Sequence, residues 1–165
     1  MRFSTCCVKN TTMASYEENP AQITQADVVV GIPSYNEAAN IAYPTTQASL
    51  GLLQYFGDKT AVIINCDNDS SDGTKEAFLK APAEVPKIYL STPPGVRGKG
   101  SNLMNLFAKV DALGAQACII VDADLKSITP RWVRSLGEPL FRDFGFVAPL
   151  YVRHKYDGTI TNNIA

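Results

Sequence analysis

The residues with the clearest chemical potential are two aspartates that follow an apolar run. Asp122 and Asp124 flank Ala123 in the segment IIVDADL. Side chains alternate along an extended chain, so we expect both carboxylates to point the same way. Two carboxylates about 4 Å apart repel by roughly 4 kcal/mol at an effective dielectric constant of about 20 and call for a positive partner. Such oxygen ligands favour Mg²⁺ or Mn²⁺ bound to substrate phosphates, although the pair could also be solvated strand-end or helix-capping residues.

Two further polar segments follow apolar runs earlier in the chain. In CDNDSSDGT, Asp67 can accept a hydrogen bond from a nucleobase N–H, and Ser70 or Ser71 can cap the next helix. The alternative for this segment is an ordinary turn. In GIPSYNEAANI, Tyr35 offers a flat face to a base, although an aromatic residue at the end of a strand is usually a packing residue.

A glycine-rich basic segment, STPPGVRGKGSNLMN, carries Arg97 and Lys99 and opens a helix. Helix N-termini favour anions, and this segment lacks the glycine and lysine spacing of a P-loop. We expect the basic segment to bind a phosphate group and the carboxylates to bind a metal ion, with both ligands in the same cleft.

Short β-branched runs alternate with longer helical stretches from Asp27 onward, which is typical of an α/β fold with a mostly parallel sheet. The predicted strands are DVVVGIP, TAVIINC, KIYLS, ACIIVDA and GFVAPLYV. The predicted helices cover residues 36–56, with a kink or a new start at Pro44, and residues 73–80, 100–113 and 130–136. In such sheets ligands bind outside the carboxyl ends of the strands, where all the polar segments above belong.

The composition narrows the class of protein further. The chain has 165 residues, 45% of them hydrophobic and 19% charged, which fits one globular domain with a substantial core. Its net charge of -1 leaves no basic excess for nucleic-acid or membrane binding. The apolar runs are too short to span a bilayer, and the N-terminus lacks a secretory signal, so we expect a cytoplasmic protein.

The ordered series IPSYNE, CDNDSSDGT, RGKGSNLMN and VDADL resembles the nucleotide-sugar-binding half of GT-A glycosyltransferases of the family-2 type. The resemblance implies a Rossmann-like three-layer sandwich over residues 27–150, preceded by a flexible arm over residues 1–26. Asn68 stands where the commoner family pattern has a second aspartate. The resemblance implies that six residues bind the nucleotide: Pro33, Tyr35, Glu37, Asp67, Lys99 and Asp122. Asp124 would be the direct metal ligand, together with Asp122.

The resemblance implies a metal-dependent enzyme that transfers a sugar from a nucleoside-diphosphate sugar, expected to be a UDP-sugar, to an acceptor that the sequence does not identify. The expected ion is Mg²⁺ or Mn²⁺, and the chain could form a homo-oligomer. One alternative is a non-catalytic nucleotide-sugar-binding module. Another is a nucleotidyltransferase, which normally places a glycine-rich basic loop directly after the first strand, where this chain has PSYNE.

The stretch YVRHKYDGTITNNIA, residues 151–165, is similar to the start of the acceptor-side region of glucosyl-3-phosphoglycerate synthases. Gly158 and Thr161 match that region, whereas Thr159 replaces an arginine that lies beside the acceptor phosphate in those enzymes. His154 fits a solvated loop, and the alternatives are a metal ligand or an acid–base group. Family-2 enzymes place their acceptor region and catalytic carboxylate farther along the chain. We therefore expect a truncated enzyme, a fragmentary gene product or a domain that is completed from elsewhere, and the catalytic residue is not assigned.

Overall fold

The structure, a computed structural model, describes residues 16–149. Its centre is a five-stranded sheet in the order β1-β4-β3-β2-β5, in which β2, β3, β4 and β5 run parallel and β1 is antiparallel to β4. The strands are β1 Tyr16–Glu18, β2 Val28–Ser34, β3 Ala61–Asp67, β4 Lys87–Ser91 and β5 Ala117–Ile120. The helices are α1 Ala42–Tyr55, α2 Thr74–Lys80, α3 Lys99–Ala112 and α4 Pro130–Gly137, with a 3₁₀ turn at Glu138–Phe141.

Alternating side chains of the central strands feed two apolar layers, one on each face of the sheet. On one face, Val30 of β2 belongs to a buried cluster with Leu52 of α1 and Val133 of α4. On the other face, Val29 belongs to a second cluster with Leu106 of α3. Strands covered on both faces must be apolar throughout, which explains the continuous runs in the sequence. The predicted α/β class with a mostly parallel sheet is confirmed.

Helix α3 lies close against β2 because Gly31 has no side chain. A Cβ atom at this position would overlap the side chain of Leu106, which is fully buried. The contact joins the middle of β2 to the middle of α3. The glycine in the run VVVGIP therefore sets the distance between two elements that carry polar residues.

The sequence predicts that helix α1 begins at residue 36, but it begins at Ala42. Asn36 has a φ of 55°, and a turn over residues 37–41 leads into the helix. Pro44 is the third residue of α1 and causes no break, because backbone N–H groups of the first turn have no partner inside a helix. The other three helices begin and end within one residue of their predicted bounds.

The segment before residue 27 differs from the predicted arm where the structure describes it. Tyr16–Glu18 pairs with β4, and its two glutamates point to opposite faces of the sheet because side chains alternate along a strand. Glu17 forms an ion pair with Lys109 of α3, and Glu18 forms one with Lys75 of α2. Two lysines on opposite faces thus hold the short edge strand, a relationship that polar composition alone does not reveal.

The predicted fifth run, GFVAPLYV, forms no strand over residues 145–149, and its remaining residues lie outside the described part. The region predicted as the start of an acceptor side, residues 151–165, also lies outside it. Within residues 16–149, no helix has the length and apolar character needed to cross a membrane.

Candidate functional site

The carboxyl ends of β2, β3 and β5 and the first turns of α3 surround a cavity of about 310 Å³. Residues from all four polar segments meet there, although they are spread over some ninety positions of the chain. The lining residues are Pro33, Ser34, Tyr35, Glu37, Asn68, Lys99, Asn102, Asp122, Ala123 and Asp124. Six of the seven residues predicted to bind the nucleotide or the metal ion therefore line one cavity, and Asp67 is the exception.

The two aspartates follow the end of β5 in a turn rather than on an extended strand. β5 ends at Ile120, and the N–H of Leu125 donates to the carbonyl of Asp122 over 3.3 Å. The expected extended geometry is therefore wrong, because the chain turns toward α4 directly after the strand. Both carboxylates are nevertheless exposed at the cavity, with the buried Ala123 between them.

The glycine-rich basic segment closes the opposite side of the cavity. Gly95 and Gly98 have φ angles of 83° and 107°, a region that residues with a Cβ rarely adopt. The Lys99 ammonium forms an ion pair with the Asp122 carboxylate. The Arg97 guanidinium lies 5.4 Å from the centroid of the Tyr35 ring, within range of a cation–π contact. Both cations thus extend from this segment to residues of other segments.

A chain of buried amide hydrogen bonds joins the loops that form the cavity. The N–H of Gly98 donates to Oδ1 of Asn68 over 3.0 Å, and Nδ2 of Asn68 donates to Oδ1 of Asn102 over 2.6 Å. Nδ2 of Asn102 donates to the carbonyl of Ser34 over 3.0 Å. The ends of β2 and β3 and the start of α3 are therefore connected through Asn68 and Asn102, which are almost completely buried.

Asp67 lies beneath the cavity and does not reach its surface. Its side chain is fully buried, and its carboxylate accepts hydrogen bonds from the hydroxyls of Ser34, Ser70 and Tyr89 and from the N–H of Ser70. Burial, followed by the negative charge of Asp67, holds the pKa of Tyr89 well above its usual range, so this hydroxyl remains a donor. Asp67 therefore organises the loops around the cavity in this structure.

The loops after β2 and β3 are tied by a second carboxylate, Asp72. Its oxygens accept hydrogen bonds from the N–H and hydroxyl of Thr74 and from the N–H of Ala38. Desolvation opposes the charge, but these hydrogen bonds outweigh it and lower the pKa of Asp72. The prediction that Ser70 or Ser71 caps α2 is wrong: Asp72 bonds the first helical N–H, and the Ser70 hydroxyl accepts from the N–H of Asn36.

Sequence reasoning missed Asn102, Ser34 and Tyr89 as parts of the site. The available signal was a polar side chain at a position where periodicity calls for an apolar one, as with Asn102 on the inner face of α3. Over residues 16–149 no three histidine, cysteine or acidic side chains gather in a group able to hold a metal ion.

A second, larger groove of about 450 Å³ runs beside β5 next to this cavity. Its lining is mainly apolar, including Ile120, Trp132 and Phe146, and Asp122 is its only charged residue among those described. The smaller cavity is the better candidate for chemistry because it gathers carboxylates, a lysine and amides in one place.

Comparison with known proteins agrees with this arrangement of fold and cavity. The chain matches Glycosyl transferase family 2 over residues 29–163, and it belongs to this family. The resemblance seen in the four polar segments is thereby confirmed, as is the Rossmann-like GT-A fold.

One similar solved structure is titled "Crystal Structure of a Mycobacterial Protein". It superposes with a TM-score of 0.54 at 24% sequence identity and covers 73% of this chain. The match covers 38% of the mycobacterial chain, so our chain corresponds to well under half of that protein. No curated protein matches the chain.

Proposed function

We propose that the cavity binds a nucleoside-diphosphate sugar, with UDP as the nucleotide, and that the protein transfers the sugar to an acceptor with the help of Mg²⁺ or Mn²⁺. The observation that carries the proposal is the convergence of Tyr35, Lys99, Asp122 and Asp124 on one cavity at the carboxyl edge of the sheet. Membership of glycosyl transferase family 2 supports the reaction class.

The donor set at the end of β5 fits a hard divalent cation. Asp122 and Asp124 supply carboxylate oxygens, and Mg²⁺ is commonly held by one or two carboxylates together with substrate phosphates. Beside these two carboxylates, phosphate oxygens and water would fill further coordination positions of the ion. When bound, such an ion would stabilise the negative charge that develops on the nucleoside-diphosphate leaving group.

The protein's own groups would position the remainder of the donor. The Tyr35 ring is 44% exposed at the cavity and can stack on the base, with Pro33 and Glu37 beside it. Lys99 and Arg97 supply positive charge for the diphosphate at the N-terminus of α3, where the helix dipole also favours anions. Asp67 and the buried amides hold these loops in place without contacting the ligand in our proposal.

A nucleotide-sugar-binding module without transfer activity is the second candidate. It needs only the donor-binding groups that line the cavity among the described residues, and it requires neither an acceptor site nor a catalytic base. The nucleotidyltransferase alternative loses support because the loop directly after β2 carries Tyr35 and Glu37, whereas the glycine-rich basic segment follows β4.

Isothermal titration of UDP in the presence of Mn²⁺ tests the proposal. We expect UDP binding to require Mn²⁺ and to be lost in Asp124→Ala, while Asp111→Ala, which removes an exposed aspartate of α3, binds like the unmodified protein. Circular dichroism should show both variants to be folded. UDP retention by Asp124→Ala equal to that of the unmodified protein would refute the assignment.

Hydrolysis of a UDP-sugar separates the two candidate functions. Slow release of the sugar that depends on Asp124 supports an enzyme. Tight binding of the UDP-sugar with no release supports the module.

A further inference from the structure

Each of the two cationic side chains of the glycine-rich segment contacts a group that the proposed function assigns to the metal ion or to the base. The Lys99 ammonium pairs with Asp122, one of the two carboxylates that would hold the divalent ion. The Arg97 guanidinium lies over the Tyr35 ring, which would hold the base. Lys99 and Arg97 thus contact the same two groups, Asp122 and the Tyr35 ring, that the metal ion and the base of the donor would contact.

We propose that Lys99 holds the cation position at Asp122 until a divalent ion and a diphosphate arrive together, so that the two ligands bind cooperatively. This inference rests on the proposed function. A divalent ion at Asp122 would repel the ammonium beside the same carboxylate, so binding of the metal ion weakens the ion pair with Lys99. The diphosphate gives Lys99 a new anionic partner as the metal ion takes Asp122, and each ligand therefore assists the other.

The ion pair has the properties that such an exchange requires. The Lys99 and Asp122 side chains are 58% and 53% exposed, so water competes for both charges and the pair is held only weakly. Lysine also has a flexible stem that allows its ammonium to change partner without movement of the helix. Because Lys99 is the first residue of α3, its ammonium can turn from Asp122 toward an anion at the helix N-terminus.

The sign of the effect distinguishes this role from simple donor binding. If Lys99 served the phosphates alone, its removal would weaken UDP binding and leave the binding of Mn²⁺ by itself unchanged. If Lys99 competes with the metal ion, its removal strengthens the binding of Mn²⁺ in the absence of UDP. A gain in Mn²⁺ binding that appears in Lys99→Met and not on removal of a distant lysine therefore supports the competition, because phosphate binding alone predicts no gain.

The test measures free Mn²⁺ by electron paramagnetic resonance, with and without UDP, for the unmodified protein, Lys99→Met and Lys80→Met. Methionine keeps an unbranched stem and removes the charge, and Lys80 is an exposed lysine at the end of α2 that serves as the matched control. We expect Lys99→Met to bind Mn²⁺ alone about two- to fivefold more tightly, the range for an exposed ion pair. UDP should also raise the Mn²⁺ affinity of this variant less than it raises that of the unmodified protein. We expect the two enhancement factors to differ by about fivefold or more.

Equal or weaker binding of Mn²⁺ alone by Lys99→Met would overturn the inference. If UDP binding by the unmodified protein still depends on Mn²⁺ and Asp124 in that case, the exchange fails and the proposed function stands. If Mn²⁺ binding with or without UDP is insensitive to Asp124→Ala, both fail. A change in Lys80→Met equal to that in Lys99→Met would also overturn the inference, because a general charge effect would then explain it.

Discussion

The Asn68 side chain donates from Nδ2 to Oδ1 of Asn102 over 2.6 Å in a buried position between β3 and α3. The direction of this bond is fixed from both ends. The N–H of Gly98 requires an acceptor from Asn68, and the carbonyl of Ser34 requires a donor from Asn102. Each amide therefore has one orientation, and the chain of bonds holds three loops of the cavity in register.

We expect Asn68→Asp to destabilise the protein, although the commoner pattern of the family has aspartate at this position. A carboxylate cannot donate to Oδ1 of Asn102, and turning the Asn102 amide would break its bond to Ser34. An unsatisfied buried polar group costs about 1–3 kcal/mol, which should appear in the free energy of unfolding measured with urea.

The control for this change is Gln54→Glu, the same amide-to-carboxylate replacement at an exposed position of α1. It should alter the free energy of unfolding by less than about 0.5 kcal/mol. A stability of Asn68→Asp within that range would show that Asn68 does not link the loops.

Removal of the Tyr89 hydroxyl should weaken the support of Asp67. Tyr89→Phe takes away one donor to a buried carboxylate, for which hydrogen bonds are worth about 1.5–3 kcal/mol. The loss should be visible in urea unfolding. Tyr43→Phe removes a hydroxyl that donates to a carbonyl at a half-buried position, and it should cost less. Equal losses in the two variants would contradict a special role for Asp67.

Two glycines allow a test of how α3 is placed. Gly31→Ala should cost about 1–3 kcal/mol of stability, since its Cβ would overlap Leu106 and force α3 away from β2. Gly100→Ala lies inside α3 with no atom near the added Cβ, and it should stabilise the protein by about 0.5–1 kcal/mol. Thermal and urea unfolding measure both, and a neutral Gly31→Ala would mean that α3 is not seated as described.

The attachment of β1 should depend on pH through Glu18. Hydrogen bonds from Lys75 and then from Tyr16 lower the pKa of Glu18 below its ordinary 4.5. A carboxyl whose pKa is lower in the folded state stabilises it above the unfolded pKa, and this stabilisation is lost as pH falls through the folded pKa. Glu18→Gln should thus have a lower Tm than the unmodified protein near neutral pH.

The difference in Tm should shrink as the pH falls below 4.5, because Glu18 then becomes protonated. Glu84→Gln, at a loop position away from β1, serves as the control and should show no comparable change of its Tm difference with pH. A Glu18→Gln difference that stays constant at low pH would show that the ion pair with Lys75 does not stabilise the strand.

Periodicity and residue type were sufficient to predict the central strands, because each is buried on both faces and therefore apolar throughout. The edge strand β1 escaped this reasoning, since Glu17 and Glu18 are polar and are held by lysines more than fifty residues away. The start of α1 was placed too early because a turn containing Asn36 at positive φ looks helical in sequence.

The site could be nominated from the sequence because parallel strands bring their carboxyl ends to one edge. What the sequence could not show is which polar groups face the cavity and which support it from below. Asp67 is the last residue of β3 and Asp124 follows β5. Asp67, however, is surrounded by four donors, two from Ser70 and one each from Ser34 and Tyr89. Such a difference in burial depends on distant residues such as Tyr89.

Diffraction from crystals grown with Mn²⁺ and UDP would locate the metal ion and the nucleotide together. We expect an anomalous peak for Mn²⁺ between the UDP phosphates and the carboxylates of Asp122 and Asp124, with the base against Tyr35. A Mn²⁺ peak and UDP density that both lie away from the cavity lined by these residues would contradict the proposed function.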